Sequence, residues 1–275
     1  MTYLRQLAIF LIASLAIASA QTPHPASTFP VFDGTMYLEK PNLGPTGLRP
    51  IAIIYTTFLW SNEAERSDIP QSNVIRALAL QASLSPGIAV IDIENWPVTG
   101  DPMQVASSIQ KYQRTIQLFK QFAPSLKVGY YGIAPIRNYW DAIGPRNAPK
   151  YKAWQDANDK QAEVSKFEDV IFPSLYTFYN DPDKWRLFAE AQIREARRIA
   201  PGKSVYAFLW PEFEHGSNDA AIGNYLPGAY WRMELETARQ IADGIVIWGG
   251  FHETWNENAP WWMETKAFLK EATLK

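Results

Sequence analysis

The stretch GIAVIDIENW, Gly87 to Trp96, is apolar for five residues and then sets two carboxylates, Asp92 and Glu94, two positions apart. In a β-strand, residues i and i+2 point to the same side. The two acids therefore stand together at the end of a buried element, where like charge raises one pKa. The same kind of run returns along the chain: IAIIYTTFLW (51–60), LKVGYY (126–131), DVIFPSLY (169–176), KSVYAFLW (203–210) and DGIVIW (243–248). Their starts lie roughly 35 to 43 residues apart, the length of a β-strand, a helix and two loops. Between them, Asp101-Pro102 opens a helical pattern through Val105, Ile109, Tyr112, Ile116 and Phe119, which stops at Ala123-Pro124. Asp181-Pro182 opens another through Trp185, Ala189, Ile193, Ala196 and Ala200. Strands apolar on both faces, alternating with amphipathic helices, make a buried parallel sheet. Polar and aromatic side chains gather at the strand ends: Asp92, Glu94, Tyr130, Tyr131, Tyr176, Trp210 and Trp248. A barrel places its site at that face. The expected fold is α/β, a TIM-like (β/α) barrel, distorted, with six or seven evident strands.

The 275 residues, 47% hydrophobic, suffice for one sizeable core. A formal charge of −2 argues against a nucleic-acid partner, which needs a basic surface. There is no cysteine, so disulfides, zinc thiolates and a cysteine nucleophile are excluded. Arg5, the apolar run Leu7 to Ala18 and Ala18-Ser19-Ala20 form a signal-peptide pattern over residues 1–20. The expectation is an exported protein, secreted or periplasmic, with no stable membrane association once the signal is cleaved; an uncleaved anchor is the alternative. Residues 21–50, rich in Pro and Gly, read as a leader wrapping the surface, and 51–275 as a single catalytic barrel domain.

The motif IDIENW has the D-x-E-x-W pattern of the animal and venom hyaluronidases, and it resembles that family further in chain order. IPQ (69–71), VGYYG (128–132), FPSLY (172–176), EARRIA with VYAF (195–208) and GIVIWGG (244–250) are the other stations. The resemblance implies a retaining endo-β-N-acetylhexosaminidase on a distorted barrel, acting on a polysaccharide such as hyaluronan or chondroitin. It implies Glu94 as proton donor, Asp92 as the carboxylate that keeps it protonated, and Tyr176 and Trp248 as the aromatics holding the sugar and its acetamido group. The substrate's own acetamido carbonyl then replaces a second carboxylate as nucleophile, a known exception to the two-carboxylate scheme. Trp96, Tyr130, Tyr131, Trp210 and Glu212 are the candidate substrate-binding residues. No cofactor is called for.

Other readings stand beside these. Asp92 and Glu94 could cap backbone or pair with an arginine, the tyrosines could be core, Trp248 could plug the barrel, and Trp96 could pack the acidic loop. Glu212 or Glu214 could be the second carboxylate of an ordinary glycosidase. The family's tyrosine after VYAF has no clear match, with Trp210, Pro211 and Glu212 in that region, and a secreted sugar-binding protein without activity is a further alternative. Arg137, Arg186 and Arg232 are the candidates to face an acidic polymer. His24, His215 and His252 show no metal-binding spacing, so no metal is expected. No G-x-S-x-G elbow is present. The sequence leaves the oligomeric state open.

Overall fold

The computed structural model describes residues 29–84, 86–214 and 224–273. The expected signal peptide at 1–20 lies outside them, and among the described residues no helix is long and apolar enough to cross a membrane. The strands are β1 (Val31–Thr35), β2 (Arg49–Pro50), β3 (Ala52–Tyr55), β4 (Ile88–Asp92), β5 (Lys127–Tyr130), β6 (Val170–Ile171), β7 (Ser204–Leu209) and β8 (Gly244–Gly249). The helices are α1 (Thr56–Leu59), α2 (Ser72–Leu84), α3 (Pro102–Phe122), α4 (Tyr139–Ala142), α5 (Pro149–Ser165), α6 (Pro182–Ile199), α7 (Gly228–Ile241) and α8 (Pro260–Thr273).

Every pairing between these strands is parallel. β2 and β3 are one extended run broken at Ile51: the first part pairs with β1 and the second with β4. β5 joins β6 through a Tyr131–Phe172 bridge, with the Gly132 N–H donating to the Phe172 carbonyl at 3.0 Å. β8 returns to β1 over five residue pairs. The described strands thus close as seven staves, a distorted (β/α) barrel.

One expectation is corrected here. Residues 31–35 do not wrap the surface as a leader: they form β1, the stave that closes the barrel between β2 and β8. Burial of Val31, Phe32 and Thr35 fixes them there against the low strand propensity of Asp33 and Gly34. A second difference is local. The apolar run 51–60 is not one strand, because the chain turns into α1 after Tyr55.

The helix punctuation acts as the residues dictate. The Asp101 carboxylate accepts from the Met103 and Gln104 N–H groups, and Asp181 from that of Lys184, each ahead of a proline in the first turn. Period-two alternation sorts the strand side chains into two layers. Ile51, Ile53, Ile88, Val90, Tyr206, Phe208, Val246 and Trp248 belong to the cluster filling the lumen. The alternate residues Ala89, Ile91, Val128 and Tyr130 pack outward against Ile75, Tyr112, Ile116 and Phe119 of α2 and α3. Gly129 must be glycine, because a Cβ there would run into the Val170 carbonyl and the Phe172 ring, where β5 and β6 approach.

Candidate active site

The lumen rows end at the C-terminal mouth of the barrel. Ile88 and Val90 lead to Asp92, Phe208 to Trp210, and Val246 to Trp248. These ends line a cleft of ≈ 210 Å³ with Glu94, Tyr131, Arg137, Tyr176 and Glu214. A second lobe of ≈ 260 Å³ shares Glu94, Tyr131 and Arg137 and reaches Trp96 and Tyr112. Each lobe alone falls below the roughly 300–1,000 Å³ of ligand pockets, so the pair reads as one groove with Glu94 between its halves.

The two carboxylates face one cleft, as the i, i+2 spacing requires. Burial, then the charge of Glu94, pushes the Asp92 carboxyl up to about 7. Asp92 Oδ1 is buried without a hydrogen-bond partner. Its backbone is pinned by the Thr56 hydroxyl, which donates to the Asp92 carbonyl at 3.0 Å. Glu94 is exposed to the groove. Near neutral pH the Asp92 carboxyl therefore still binds a proton, beside the groove-facing Glu94.

Aromatic rings wall the pair. Tyr176 and Trp248 stack at 5.8 Å between centroids and 23° between planes. Trp210 meets both edge-on, at 5.5 and 5.2 Å. The Trp248 indole N–H donates to the Tyr55 hydroxyl at 3.0 Å, which fixes the ring's orientation. Tyr131 donates to Ser174 Oγ at 3.1 Å and shares a hydrogen bond with Tyr176. Arg137 reaches Ser174 Oγ and Glu214 Oε2, both at 3.2 Å. Gly250 lets the chain turn away after Trp248: its φ is 75°, and a Cβ there would overlap the Tyr37 ring.

Asp92, Glu94, Tyr131, Tyr176, Trp210 and Trp248 are therefore brought together. Three candidates are placed differently. Tyr130 lies outside the lumen, its hydroxyl donating to the Tyr112 carbonyl at 2.7 Å, because its parity is opposite to that of Tyr131. Trp96 is buried, packs edge-on against Trp60 and Tyr112 and donates to the Arg66 carbonyl, so it braces the acidic loop and only borders the second lobe. Glu212 turns behind Trp210, whose indole N–H it accepts at 3.2 Å; burial and then Glu253 push its carboxyl up to about 7. Of the three arginines, Arg137 reaches the groove, whereas Arg186 pairs with Asp183 and Arg232 with Glu236 and Glu271 on the helices. Sequence reasoning misses Tyr55: it pairs with Asp92 in register and ends its strand, but the apolar run continues to Trp60 and hides that end. Among the described residues no cluster of His, Asp and Glu could hold a metal ion.

A parallel barrel whose strand-end face carries an acid pair under an aromatic wall defines the class. Comparison then narrows it. No family model matches the chain. A hyaluronidase of Apis mellifera is 24% identical over 209 residues, 60% of this chain and 52% of the relative, so the chain spans about half that relative's length. Bee venom hyaluronidase superposes with a TM-score of 0.58 at 17% identity, over 90% of this chain and 96% of the other. Its complex with a hyaluronic acid tetramer gives 0.58 at 18%, over 90% and 95%. An endo-β-1,4-mannanase from Thermotoga petrophila gives 0.51 at 12%, over 82% and 58%. The chain is hyaluronidase-like, and its barrel is of the kind that glycosidases use.

Proposed function

We propose that this chain is an exported glycoside hydrolase that cleaves an N-acetylhexosamine-containing polysaccharide internally, with retention and substrate assistance. The observation that carries the proposal is the Asp92–Glu94 pair opening into one groove beside the stacked Tyr176 and Trp248 rings. Glu94, at the groove surface, gives its proton to the glycosidic oxygen as the bond to the anomeric carbon breaks. The substrate's 2-acetamido carbonyl oxygen attacks that carbon from the other face and closes a positively charged oxazolinium ring that keeps the amide proton. Asp92 stays beside Glu94 through this step, and its raised affinity for a proton limits the negative charge that builds up as Glu94 becomes a carboxylate. Water, deprotonated by Glu94, then opens the ring with overall retention. The aromatic wall supplies flat apolar surfaces for pyranose faces.

Hyaluronan and chondroitin meet the acetamido requirement, but the described lining of this cleft sets three acidic side chains, Asp92, Glu94 and Glu214, beside one basic side chain, Arg137. That balance favours an uncharged N-acetylated chain at the cleavage point. Release of reducing ends from neutral and acidic N-acetylated polymers, with inhibition by a thiazoline analogue of N-acetylglucosamine, tests both levels. Cleavage of neither polymer class overturns the reading. A two-carboxylate mechanism is the second reading, because Glu214 lines the same cleft; a covalent sugar adduct trapped on Glu214 would establish it. Export is tested by sequencing the released protein, whose first residue is expected to be Gln21.

A further inference from the structure

The groove does not end at Arg137. Three residues further on, α4 carries Trp140, and of the eleven tryptophans it is the one left exposed, at 51%. Its loop follows β5, while Phe178 and Tyr179 follow β6, so both rise from the same barrel face as the acid pair. The rings are continuous with the groove. The Arg137 guanidinium lies 5.0 Å from the Phe178 ring centroid and 6.0 Å from that of Tyr176. Phe178 adjoins Tyr179 at 6.2 Å, and Tyr179 adjoins Trp140 at 5.1 Å.

This is a fixed platform. The Trp140 indole N–H donates to the Tyr179 hydroxyl at 3.0 Å, and the Tyr179 carbonyl accepts from Tyr230 at 3.1 Å. The preceding Tyr139 is buried and stacked on Phe188 of α6 at 4.8 Å. An exposed indole held this firmly has lost its rotational freedom before any ligand arrives, which lowers the cost of binding. The nearby cations are already engaged: Lys184, 5.8 Å from the Trp140 centroid, is bonded to Asp181 at 2.6 Å, and Arg137 to Glu214.

We infer that Trp140 and Tyr179 form an outlying subsite that stacks the face of an uncharged pyranose in a chain threaded through the groove. The inference rests on the polysaccharide reading and names the ligand this end of the groove takes. The probes are a β-linked N-acetylglucosamine hexasaccharide and trisaccharide, compared in kinetics and, on a Glu94→Gln background, in direct calorimetric binding. Trp140→Ala is expected to narrow the preference for the hexasaccharide over the trisaccharide about tenfold through KM rather than kcat, with Trp140→Phe restoring most of it. Hexasaccharide affinity should change little from low to high salt. Trp140-dependent binding without cleavage would uphold the subsite and defeat the hydrolase reading. Equal losses on both lengths, or no Trp140-dependent binding of the hexasaccharide, would overturn the subsite. Tighter, salt-sensitive binding of a hyaluronan hexasaccharide would overturn its preference for an uncharged sugar.

Discussion

The two ends of the barrel treat their carboxylates in opposite ways. At the floor, where the strands begin, Asp169 and Asp243 each stand just before a strand and dock onto the strand before it. Asp169 accepts from the Val128 N–H at 3.2 Å and from Lys120 at 2.6 Å. Asp243 accepts from the Val205 N–H at 2.9 Å and from Arg197 at 3.0 Å. At the mouth, Asp92 has a like charge beside it and a buried oxygen without a partner. Charge on Asp169 and Asp243 at the floor is compensated and holds strands together, whereas Asp92 at the mouth has no cation bonded to it among the described residues. A raised carboxyl is not the whole distinction, because burial also pushes Glu168, near the floor, up to about 7. Glu168 is enclosed and bonded to the Tyr130 N–H at 2.8 Å, whereas Asp92 opens onto a groove. An acid serves chemistry only where substrate can reach it.

The contrast between mouth and floor is largest at Glu94. Glu94→Gln keeps the shape and removes the transferable proton, so turnover is expected to fall roughly 100-fold or more without a lower melting temperature. Near-wild-type turnover in a reducing-end assay would remove Glu94 as proton donor. The floor should respond in reverse. Asp243→Asn weakens a charge-assisted bond and an ion pair, for an expected loss of ~1–3 kcal/mol in urea unfolding and kcat within about twofold of wild type, the usual outcome for a site remote from the chemistry. Lost turnover with full stability would assign the floor a part in catalysis. Smallest is Tyr55→Phe, which takes the acceptor from the Trp248 indole; about a threefold fall in kcat/KM, ~0.7 kcal/mol, is expected within the usual range for one hydrogen bond. An unchanged kcat/KM would show that packing alone orients Trp248.

The mouth is legible in the sequence because strand ends carry its residues: apolar runs that stop at Asp92, Tyr131, Tyr176, Trp210 and Trp248 are visible without coordinates. Parity is not legible in LKVGYY. Lys127-Val-Gly-Tyr-Tyr offers no polar alternation, so only the close approach at Gly129 decides that Tyr131 enters the lumen and Tyr130 leaves it. The departure of Glu212 depends on where the chain leaves β7: the strand ends at Leu209, before alternation can carry Glu212 inward. β1 hides among prolines, its Asp33 and Gly34 outweighing Val31 and Phe32 in any reading of strand propensity. The docking of Asp169 and Asp243 joins residues about 40 positions apart, and no local pattern announces it.

Under the proposed mechanism Asp92 is held at the cost of stability to keep a proton at the mouth, and the pH dependence of melting in Asp92→Asn tests this most directly. The folded carboxyl is raised to about 7 from an ordinary value of 3.8. The folded state therefore binds more protons than the unfolded chain between those values, and stability falls as pH rises through that window. The neutral asparagine escapes the loss. Its advantage should be absent near pH 3, grow between about 4 and 7, and level off at ~2–4 kcal/mol above that, since a tenfold change in proton affinity is worth about 1.4 kcal/mol. The expected result is a variant that melts several degrees above the wild type at pH 8, converges with it in acid, and turns over more slowly. A variant that melts below the wild type at pH 8, or whose difference does not vary with pH, would contradict it.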